Sequence, residues 1–319
     1  MERKNKRLAV LVGCNYPNTP NELRGCINDV LAMKDTLVKR FGFDHANIQL
    51  LTDDDPKNSS STMPTGANIK QALSSMVDKA EAGDVLYFHY SGHGTRIPSK
   101  IHGHPFRHEE AIVSCDFNLI TDLDFRQLVN RIPKGASLTI LSDSCHSGGL
   151  IDKEKEQIGP SSFDDKNATL KLSDHKPKTI PYESIFQHVS SLTNINTTDI
   201  GTHLLEFFGS DASLRFRLTS RDLEEGVLLK PDEGILLSGC QSDETSADMS
   251  PNMSNGKAYG AFSNAVQIVL KENKGKLSNR EVVVKARDVL KGQGFVQHPC
   301  LYCSDENADD VFLLQMLEL

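Results

Sequence analysis

Two apolar runs of the sequence end in short, polar, glycine-rich segments whose side chains suit covalent catalysis. The run Val85–Tyr90 leads into a segment that carries His93, and the run Leu138–Leu141 leads into one that carries Cys145. An imidazole can remove the proton of a nearby thiol, and the thiolate is then a nucleophile. Flanking glycines let a substrate approach the backbone closely, and N–H groups in such segments can stabilise an oxyanion. His93 is therefore predicted to be a general base and Cys145 a nucleophile.

The pair can act only if the two runs are neighbouring strands of one sheet. Strand-like apolar runs alternate with segments of helical spacing up to about residue 150, which predicts an α/β fold with a mostly parallel sheet and helices on both faces. In such sheets, functional sites collect beyond the carboxyl ends of the strands. The predicted strands are Arg7–Gly13, Ile48–Leu51, Val85–Tyr90 and Leu138–Leu141, and the predicted helices lie near Asn28, Ile69 and Phe125.

The second half of the chain predicts a linker and a smaller block. From Ile151 to about Ile180 the sequence is polar and has no hydrophobic period, which indicates an exposed linker. We therefore divide the chain into a large catalytic block (1–150), a linker region (151–230) and a small block (231–319) that completes the same sheet. The elements predicted beyond the linker are short helices near Ile185 and Leu204, strands at Ile235–Cys240 and Cys300–Cys303, and helices at Ala261–Leu270 and Glu281–Leu290.

The composition is that of a globular protein with no affinity for polyanions. The 35 Lys and Arg against 43 Asp and Glu give a net charge of −8, and no basic cluster is present, which argues against nucleic-acid and anionic-membrane partners. The apolar run Leu8–Val12 is too short for the core of a signal peptide. Seven cysteines, an odd number, favour a reducing compartment. We expect a cytoplasmic protein, with the nucleus as an alternative.

Each candidate residue also has a purely structural interpretation. A single cysteine at a strand end is usually a small buried hydrophobe, and a single histidine is usually part of the core. Only the occurrence of both at equivalent strand ends favours catalysis. Cys300 and Cys303 have the spacing of a zinc knuckle, but no second ligand pair is evident, so a buried strand is preferred and no metal is assigned.

The two polar segments also resemble the catalytic motifs of the metacaspases. The resemblance extends almost from end to end, and the linker is similar to that of plant type II metacaspases with a short linker. It implies a caspase-like (caspase–hemoglobinase) three-layer fold and a cysteine endopeptidase that cuts after Arg or Lys, acting in regulated cell death or stress-linked proteolysis. The motifs are His89-Tyr90-Ser91-Gly92-His93-Gly94, Asp143-Ser144-Cys145-His146-Ser147-Gly148-Gly149, Gly25-Cys26-Ile27-Asn28-Asp29-Val30, Ser238-Gly239-Cys240-Gln241 and Gly260-Ala261-Phe262-Ser263.

Asp143 stands two residues before the proposed nucleophile, where a carboxylate disfavours a thiolate. The resemblance resolves this conflict, because it assigns Asp143 and Asp29 to a pocket for the basic side chain of the residue that is cut. Charge-assisted hydrogen bonds in such a pocket are worth about 1.5–3 kcal/mol each. Without the resemblance, Asp29 is better explained as an acidic residue at a helix N-terminus. Gly94 and Cys145 are the candidates for the oxyanion-binding N–H groups.

An acidic segment lies where many metacaspases bind an activating calcium ion. Carboxylate oxygens suit calcium, but Leu123 interrupts the acidic pair that calcium-dependent relatives carry. A solvated acidic loop is the alternative, and no cofactor is expected to be required. The candidate ligands are Glu109, Glu110, Asp122 and Asp124.

The polar linker predicts self-cleavage after Lys178. Lys176 precedes Pro177, and a tertiary amide is a poor scissile bond, whereas Lys178-Thr179 has no such obstacle. The expected partners are therefore protein and peptide substrates with Arg or Lys before the cut, and the chain itself. The uncut linker is expected to occupy the groove and to keep Lys178 in the acidic pocket, and the two fragments are expected to stay associated after cleavage. Lys166 and Lys171 are the other basic linker residues.

Two rival functions use the same sequence features. A catalytically idle caspase-like interaction module would have lost the dyad, whereas His93 and Cys145 are both present. A peptide ligase would keep the dyad and transfer the acyl group to an amine, so a product assay with an added amine separates it from a hydrolase.

Overall fold

A seven-stranded sheet lies at the centre of the computed structural model, which describes residues 5–54, 62–98, 108–146, 148–151, 156–159, 175–218, 234–241, 244–250 and 256–314. The strand order is β2-β1-β3-β7-β10-β13-β8. The first five strands in that order are parallel. Strand β13 is antiparallel to β10, and β8 is antiparallel to β13. The strands are β1 (Arg7–Gly13), β2 (Ile48–Thr52), β3 (Val85–Ser91), β7 (Ser137–Asp143), β8 (Glu156–Ile158), β10 (Ile235–Ser238) and β13 (Cys300–Tyr302).

Helices cover both faces of the sheet and give the predicted three-layer arrangement. Alternate residues of β1 enter two different hydrophobic clusters. Val10 belongs to the cluster under helices α2 (Gly66–Asp78) and α3 (Asp122–Val129), and Leu11 to the cluster under α1 (Cys26–Phe41) and α7 (Ala261–Glu272). Both faces are therefore buried, which explains why the central strands read as continuous apolar runs. The helices are α1 (Cys26–Phe41), α2 (Gly66–Asp78), α3 (Asp122–Val129), α4 (Tyr182–Ser191), α5 (Ile200–Phe208), α6 (Leu214–Arg217), α7 (Ala261–Glu272), α8 (Asn279–Gly292) and α9 (Asp305–Asp309).

Two small antiparallel sheets flank the site end of the central sheet. The first has the order β4-β5-β6 and packs against α4 and α5 through a third hydrophobic cluster. The second has the order β12-β11-β9 and joins the linker to the small block. Their strands are β4 (Gly94–Pro98), β5 (His108–Val113), β6 (Leu119–Thr121), β9 (His175–Pro177), β11 (Ala247–Met249) and β12 (Tyr259–Gly260).

The structure corrects the prediction that 151–180 is an exposed linker. Strand β8 pairs with the sheet edge, β9 pairs with β11, and Lys178 and Ile180 are fully buried. These short strands are held by backbone hydrogen bonds, which require no apolar period in the sequence. Residues 160–174, with Lys166 and Lys171, lie outside the described residues.

Two further sequence-based expectations can be compared with the coordinates. Cys300 and Cys303 are free thiols, and Cys300–Tyr302 forms the predicted strand. Their side chains enter different hydrophobic clusters, so they point to opposite sides of the sheet. None of the helices in the described part of the chain is long and apolar enough to cross a membrane.

Candidate active site

The two polar segments meet because β3 and β7 are parallel neighbours. Ser91 at the end of β3 lies opposite Asp143 at the end of β7, so the following residues leave the sheet side by side. The backbone at Gly94 passes so close to Cys145 that a Cβ on Gly94 would lie 1.8 Å from the Cys145 carbonyl oxygen. A glycine is therefore required at position 94, and the predicted adjacency of the His93 and Cys145 segments is observed.

The imidazole of His93 is oriented by a backbone carbonyl. Its Nε2 atom lies 2.7 Å from the Asn21 carbonyl oxygen, which can only accept a hydrogen bond, so Nε2 carries the proton. Nδ1 is buried and has no hydrogen-bond partner among the described residues. Burial lowers the pKa of His93 to about 4; the hydrogen bond to the Asn21 carbonyl opposes this shift, and the charges of Lys176 and Lys178 add to it. The ring is therefore neutral at physiological pH, with its Nδ1 lone pair free to take a proton.

The thiol of Cys145 is held between strands of the two blocks. Its Sγ accepts a hydrogen bond from the Ser246 N–H at 3.0 Å and lies 3.6 Å from the Ser246 carbonyl oxygen. Cys145 is completely buried. Its backbone N–H donates to the Lys178 carbonyl oxygen, so Lys178 lies directly against the Cys145 segment.

The carbonyl of Lys178 lies between two backbone N–H groups. It accepts hydrogen bonds from the Gly94 N–H at 3.0 Å and from the Cys145 N–H at 3.1 Å. The neighbouring backbone is also fixed, since the Lys178 N–H donates to Ser246 and the Ile180 N–H donates to Gly94. Two converging N–H groups would stabilise the negative charge that develops on this oxygen during attack on its carbon.

The side chain of Lys178 fills a pocket lined by Asp29 and Asp143. Its Nζ lies 3.2 Å from an Asp143 carboxylate oxygen and 3.5 Å from one of Asp29, and it donates to the Ser91 hydroxyl at 2.8 Å. Ser91 in turn donates to Asp29 at 2.7 Å. The structure thus brings together the two acids that the resemblance assigned to this pocket, and it places a lysine between them.

The two carboxylates are in different electrostatic environments. Burial would raise the pKa of Asp143, but the charge of Lys178 and hydrogen bonds from Ser246 and Ser263 outweigh it and hold this pKa below its usual value. Burial holds the pKa of Asp29 well above its usual range, with the Asp143 charge adding to the rise. Burial would lower the pKa of Lys178, but the surrounding negative charges, with Asp143 the largest of them, outweigh it and raise this pKa. Asp143 is therefore the main counterion of the buried ammonium group.

The space for the Lys178 ammonium group in the pocket depends on a second glycine. A Cβ at Gly260 would lie 2.2 Å from Lys178 Nζ and 2.3 Å from an Asp143 oxygen, so any larger residue would occupy the space of the ammonium group. The Gly260 N–H also donates to both carboxylate oxygens of Asp29 at 3.0 Å. Sequence reasoning quoted the Gly260 segment without assigning it a role, and it also missed Asn21, Ser91 and Ser246. Asn21 contributes only a backbone carbonyl, which has no side-chain signature.

The linker on the amino-terminal side of Lys178 lies in the site as an extended strand. His175–Pro177 pairs antiparallel with Ala247–Met249. Lys176 is exposed, and its Nζ donates to the carbonyl oxygens of Pro20 and Glu22 at 3.0 and 2.8 Å. Lys178, not Lys176, is thus the residue whose carbonyl accepts from the Gly94 and Cys145 N–H groups.

The acidic residues considered for calcium are separated by other interactions. Glu109 pairs with Arg215, Glu110 accepts from the Gly149 N–H, and Asp124 accepts at the N-terminus of α3 and from the Leu214 N–H. One oxygen of Asp122 is buried without a hydrogen-bond partner, and burial and the Glu109 carboxylate raise the pKa of Asp122 to about 6. Within the described ranges, no three potential ligands are grouped to hold a metal ion. Glu109, Glu110 and Asp124 are therefore engaged by other groups in this conformation.

Comparison with known proteins identifies the family. A profile of the family described as Caspase domain matches residues 6–309. Metacaspase-9 of Arabidopsis thaliana is 62% identical, with 97% of each chain covered. The chain belongs to the metacaspase family of cysteine peptidases. Metacaspase-6 of the same plant is 40% identical over 96% of this chain and 99% of the relative, and Metacaspase-1 of Schizosaccharomyces pombe is 32% identical over 94% and 67%.

The resemblance to plant type II metacaspases and the predicted fold class are both confirmed. A crystal structure of a Geobacter sulfurreducens protein superposes on this metacaspase with a TM-score of 0.64 and covers 98% of this chain and 100% of that chain. At 20% sequence identity this similarity shows the fold alone. The caspase-like α/β sheet thus places Ser91 and Asp143 of this metacaspase opposite each other at the carboxyl ends of β3 and β7.

Proposed function

We propose that this metacaspase is an endopeptidase that cuts after Lys or Arg through Cys145 and His93, and that its uncut form is a zymogen. The supporting observation is Lys178 itself. Its carbonyl lies between the N–H groups of Gly94 and Cys145, and its ammonium group lies between the carboxylates of Asp29 and Asp143. This is the arrangement that a substrate requires before attack.

The reaction follows from the positions of these groups. His93 Nδ1 takes the proton of the Cys145 thiol, and the thiolate attacks the Lys178 carbonyl carbon. The oxyanion is stabilised by the two N–H groups, and the Thr179 nitrogen leaves with the proton returned by His93. Water then hydrolyses the thioester and regenerates the thiol. The linker therefore inhibits the enzyme as a bound substrate until the Lys178–Thr179 bond is cut.

The sheet explains why the two fragments would remain associated. Cleavage would separate Met1–Lys178 from Thr179–Leu319. Strands β10 and β13 of the second fragment lie between β7 and β8 of the first. Pairing on both sides holds the small block in the sheet, so the processed enzyme is expected to migrate as one species under native conditions.

The acidic pocket predicts the substrate preference and its dependence on two side chains. A fluorogenic peptide with the sequence His-Lys-Pro-Lys, copied from 175–178, should be cleaved, its Arg-ended analogue should also be cleaved, and its Asp-ended analogue should not. Asp143→Asn should lower kcat/KM by about 100-fold or more, and Asp29→Asn by less, because Asp143 is the main counterion.

The measurement is steady-state kinetics on wild type and both variants, with melting curves as the stability control. Asp305→Asn, at the remote helix α9, is the matched control and should retain full activity. Normal cleavage of Lys and Arg peptides by Asp29→Asn and Asp143→Asn would refute the pocket assignment.

Calcium is not expected to be strictly required. Arg215 and helix α3 already engage Glu109 and Asp124, so metal binding would have to displace these contacts. Peptidase activity should persist in excess EGTA within about twofold of its value in calcium. If chelator abolished the activity and added calcium restored it, this expectation would be contradicted.

A role in regulated cell death or stress-linked proteolysis stays a prediction.

A further inference from the structure

Two buried tyrosine hydroxyls enclose the backbone of His93. The His93 N–H donates to the Tyr16 hydroxyl at 3.0 Å, and the Tyr90 hydroxyl donates to the His93 carbonyl at 2.7 Å. The two phenolic oxygens are 3.0 Å apart, and both also contact the Val113 carbonyl, at 2.5 and 2.7 Å. The Val113 N–H donates to the His93 carbonyl as well. Every backbone polar group of His93 is therefore held by a fixed partner.

Tyr16 also supports the imidazole ring. The ring centroids of Tyr16 and His93 are 4.7 Å apart with an interplanar angle of 40°. Asn21, which fixes Nε2, belongs to the same loop as Tyr16. The loop thus restrains one face of the imidazole and one of its nitrogens, and it leaves Nδ1 available for the proton of the thiol.

Tyr16 is itself held in an unusual conformation. Its φ is +49°, in the left-handed region that costs a non-glycine residue about 1 kcal/mol or more. The Asp53 carboxylate maintains this turn by accepting the N–H groups of Asn15 and Tyr16, both at 2.8 Å. Burial raises the pKa of Tyr16 and of Tyr90 well above the usual value, so both hydroxyls keep their protons.

The glycine before His93 is explained by the same hydroxyl pair. A Cβ at Gly92 would lie 2.5 Å from the Tyr90 hydroxyl and 3.1 Å from that of Tyr16. Gly92 thus provides the space in which the two hydroxyls reach the His93 backbone. The Gly-His-Gly segment has no apolar side chain to pack, so its position must be set by such contacts.

We propose that Tyr16, with Tyr90 as its partner, is a positioning residue for the general base: it sets the orientation of the His93 imidazole toward Cys145. This role rests on the proposed function. The alternative is a tyrosine that only fills the core, and the chain offers a matched control for it. Tyr87 is fully buried on the same strand β3 as Tyr90, and its hydroxyl has no hydrogen-bond partner among the described residues.

The test compares Tyr16→Phe, Tyr90→Phe and Tyr87→Phe in the self-processed enzyme, with both fragments present. For Tyr16→Phe we expect kcat on the His-Lys-Pro-Lys peptide to fall about 10- to 100-fold with KM changed less than about twofold, because ground-state binding is untouched. The acid limb of its kcat/KM profile should move by about 0.5 pH unit or more, because the imidazole is less constrained. Tyr90→Phe should show a smaller loss of the same kind, and Tyr87→Phe should leave kcat and the pH profile unchanged.

A second readout does not require turnover. The rate at which iodoacetamide alkylates Cys145, followed against pH, reports the thiol–imidazole pairing, and Tyr16→Phe should shift this profile whereas Tyr87→Phe should not. A wild-type kcat and pH profile in Tyr16→Phe would overturn the proposal, and so would equal losses in Tyr16→Phe and Tyr87→Phe that follow their melting temperatures. A wild-type enzyme that fails to cleave the peptide would instead refute the proposed function and remove the basis for this role.

Discussion

Cys145→Ala and His93→Ala are each expected to abolish peptide cleavage while leaving the fold intact. The loss should be about 10³-fold or more, because the thiol is the attacking group and the imidazole is the acceptor of its proton. The hydrogen bonds of Cys145 Sγ go to the backbone of Ser246 and to the buried thiol of Cys240, and no charged partner is left behind when the thiol is removed, so the melting temperature should change little. Peptidase kinetics and melting curves on the purified variants provide the measurement.

The double variant sharpens this expectation. Two residues that act as one unit lose activity together, so Cys145→Ala with His93→Ala should be no worse than either single change. Cys300→Ala is the matched control, since Cys300 is an equally buried free cysteine in β13, outside the site. Residual activity above a few per cent of wild type in Cys145→Ala would refute the assignment of the nucleophile.

Lys178→Ala is expected to leave the chain uncut. Amino-terminal sequencing of the smaller wild-type fragment should begin at Thr179, and Lys178→Arg should still be processed, because a guanidinium group also pairs with the two carboxylates. Lys176→Ala, in the preceding strand β9, is the control: its side chain is exposed, and the Gly94 and Cys145 N–H groups donate to the Lys178 carbonyl, so processing should continue. Denaturing gels over time and native chromatography supply both readouts.

The uncut variant should also be a poor enzyme toward added peptides. Strand β9 and the bonds of Lys178 and Ile180 to Ser246 and Gly94 remain after the side chain is removed, so the linker still covers the cleft. We expect peptidase activity below about a tenth of that of processed wild type, by analogy with a tethered competitor at high effective concentration. Full activity of uncut Lys178→Ala, or a fragment that starts at another residue, would contradict the zymogen mechanism.

The central sheet could be predicted because its residues are buried on both faces. Strands β1, β3 and β7 are continuous apolar runs, and each appears in the structure at nearly its predicted bounds. Their order could not be read from the runs themselves, yet the polar segments at the ends of β3 and β7 were sufficient to pair His93 with Cys145. Candidate catalytic residues at strand ends can be recognised in the sequence because they are polar residues that interrupt an apolar run.

The linker could not be predicted in the same way. Its polar composition gave no sign of β8 or of β9, and the expectation that Lys178 lies in the acidic pocket came from the predicted self-cleavage, not from any local pattern. A buried lysine is expensive unless carboxylates compensate its charge. Those carboxylates come from Asp29 and Asp143, more than 30 residues away in the chain, so local pattern could not show the compensation.

The sequence by itself determined the α/β class and predicted His93 as the base and Cys145 as the nucleophile. The resemblance to the metacaspases added Asp29 and Asp143 as the expected acids of the pocket. Tertiary structure alone decided how these groups are held. The Asn21 carbonyl fixes the tautomer of His93, the Tyr16 hydroxyl holds its backbone, and Gly260 leaves space for the ammonium group. The reason is physical: a backbone carbonyl, a left-handed turn and a missing Cβ act through distances between remote segments, and such distances exist only once the chain has folded.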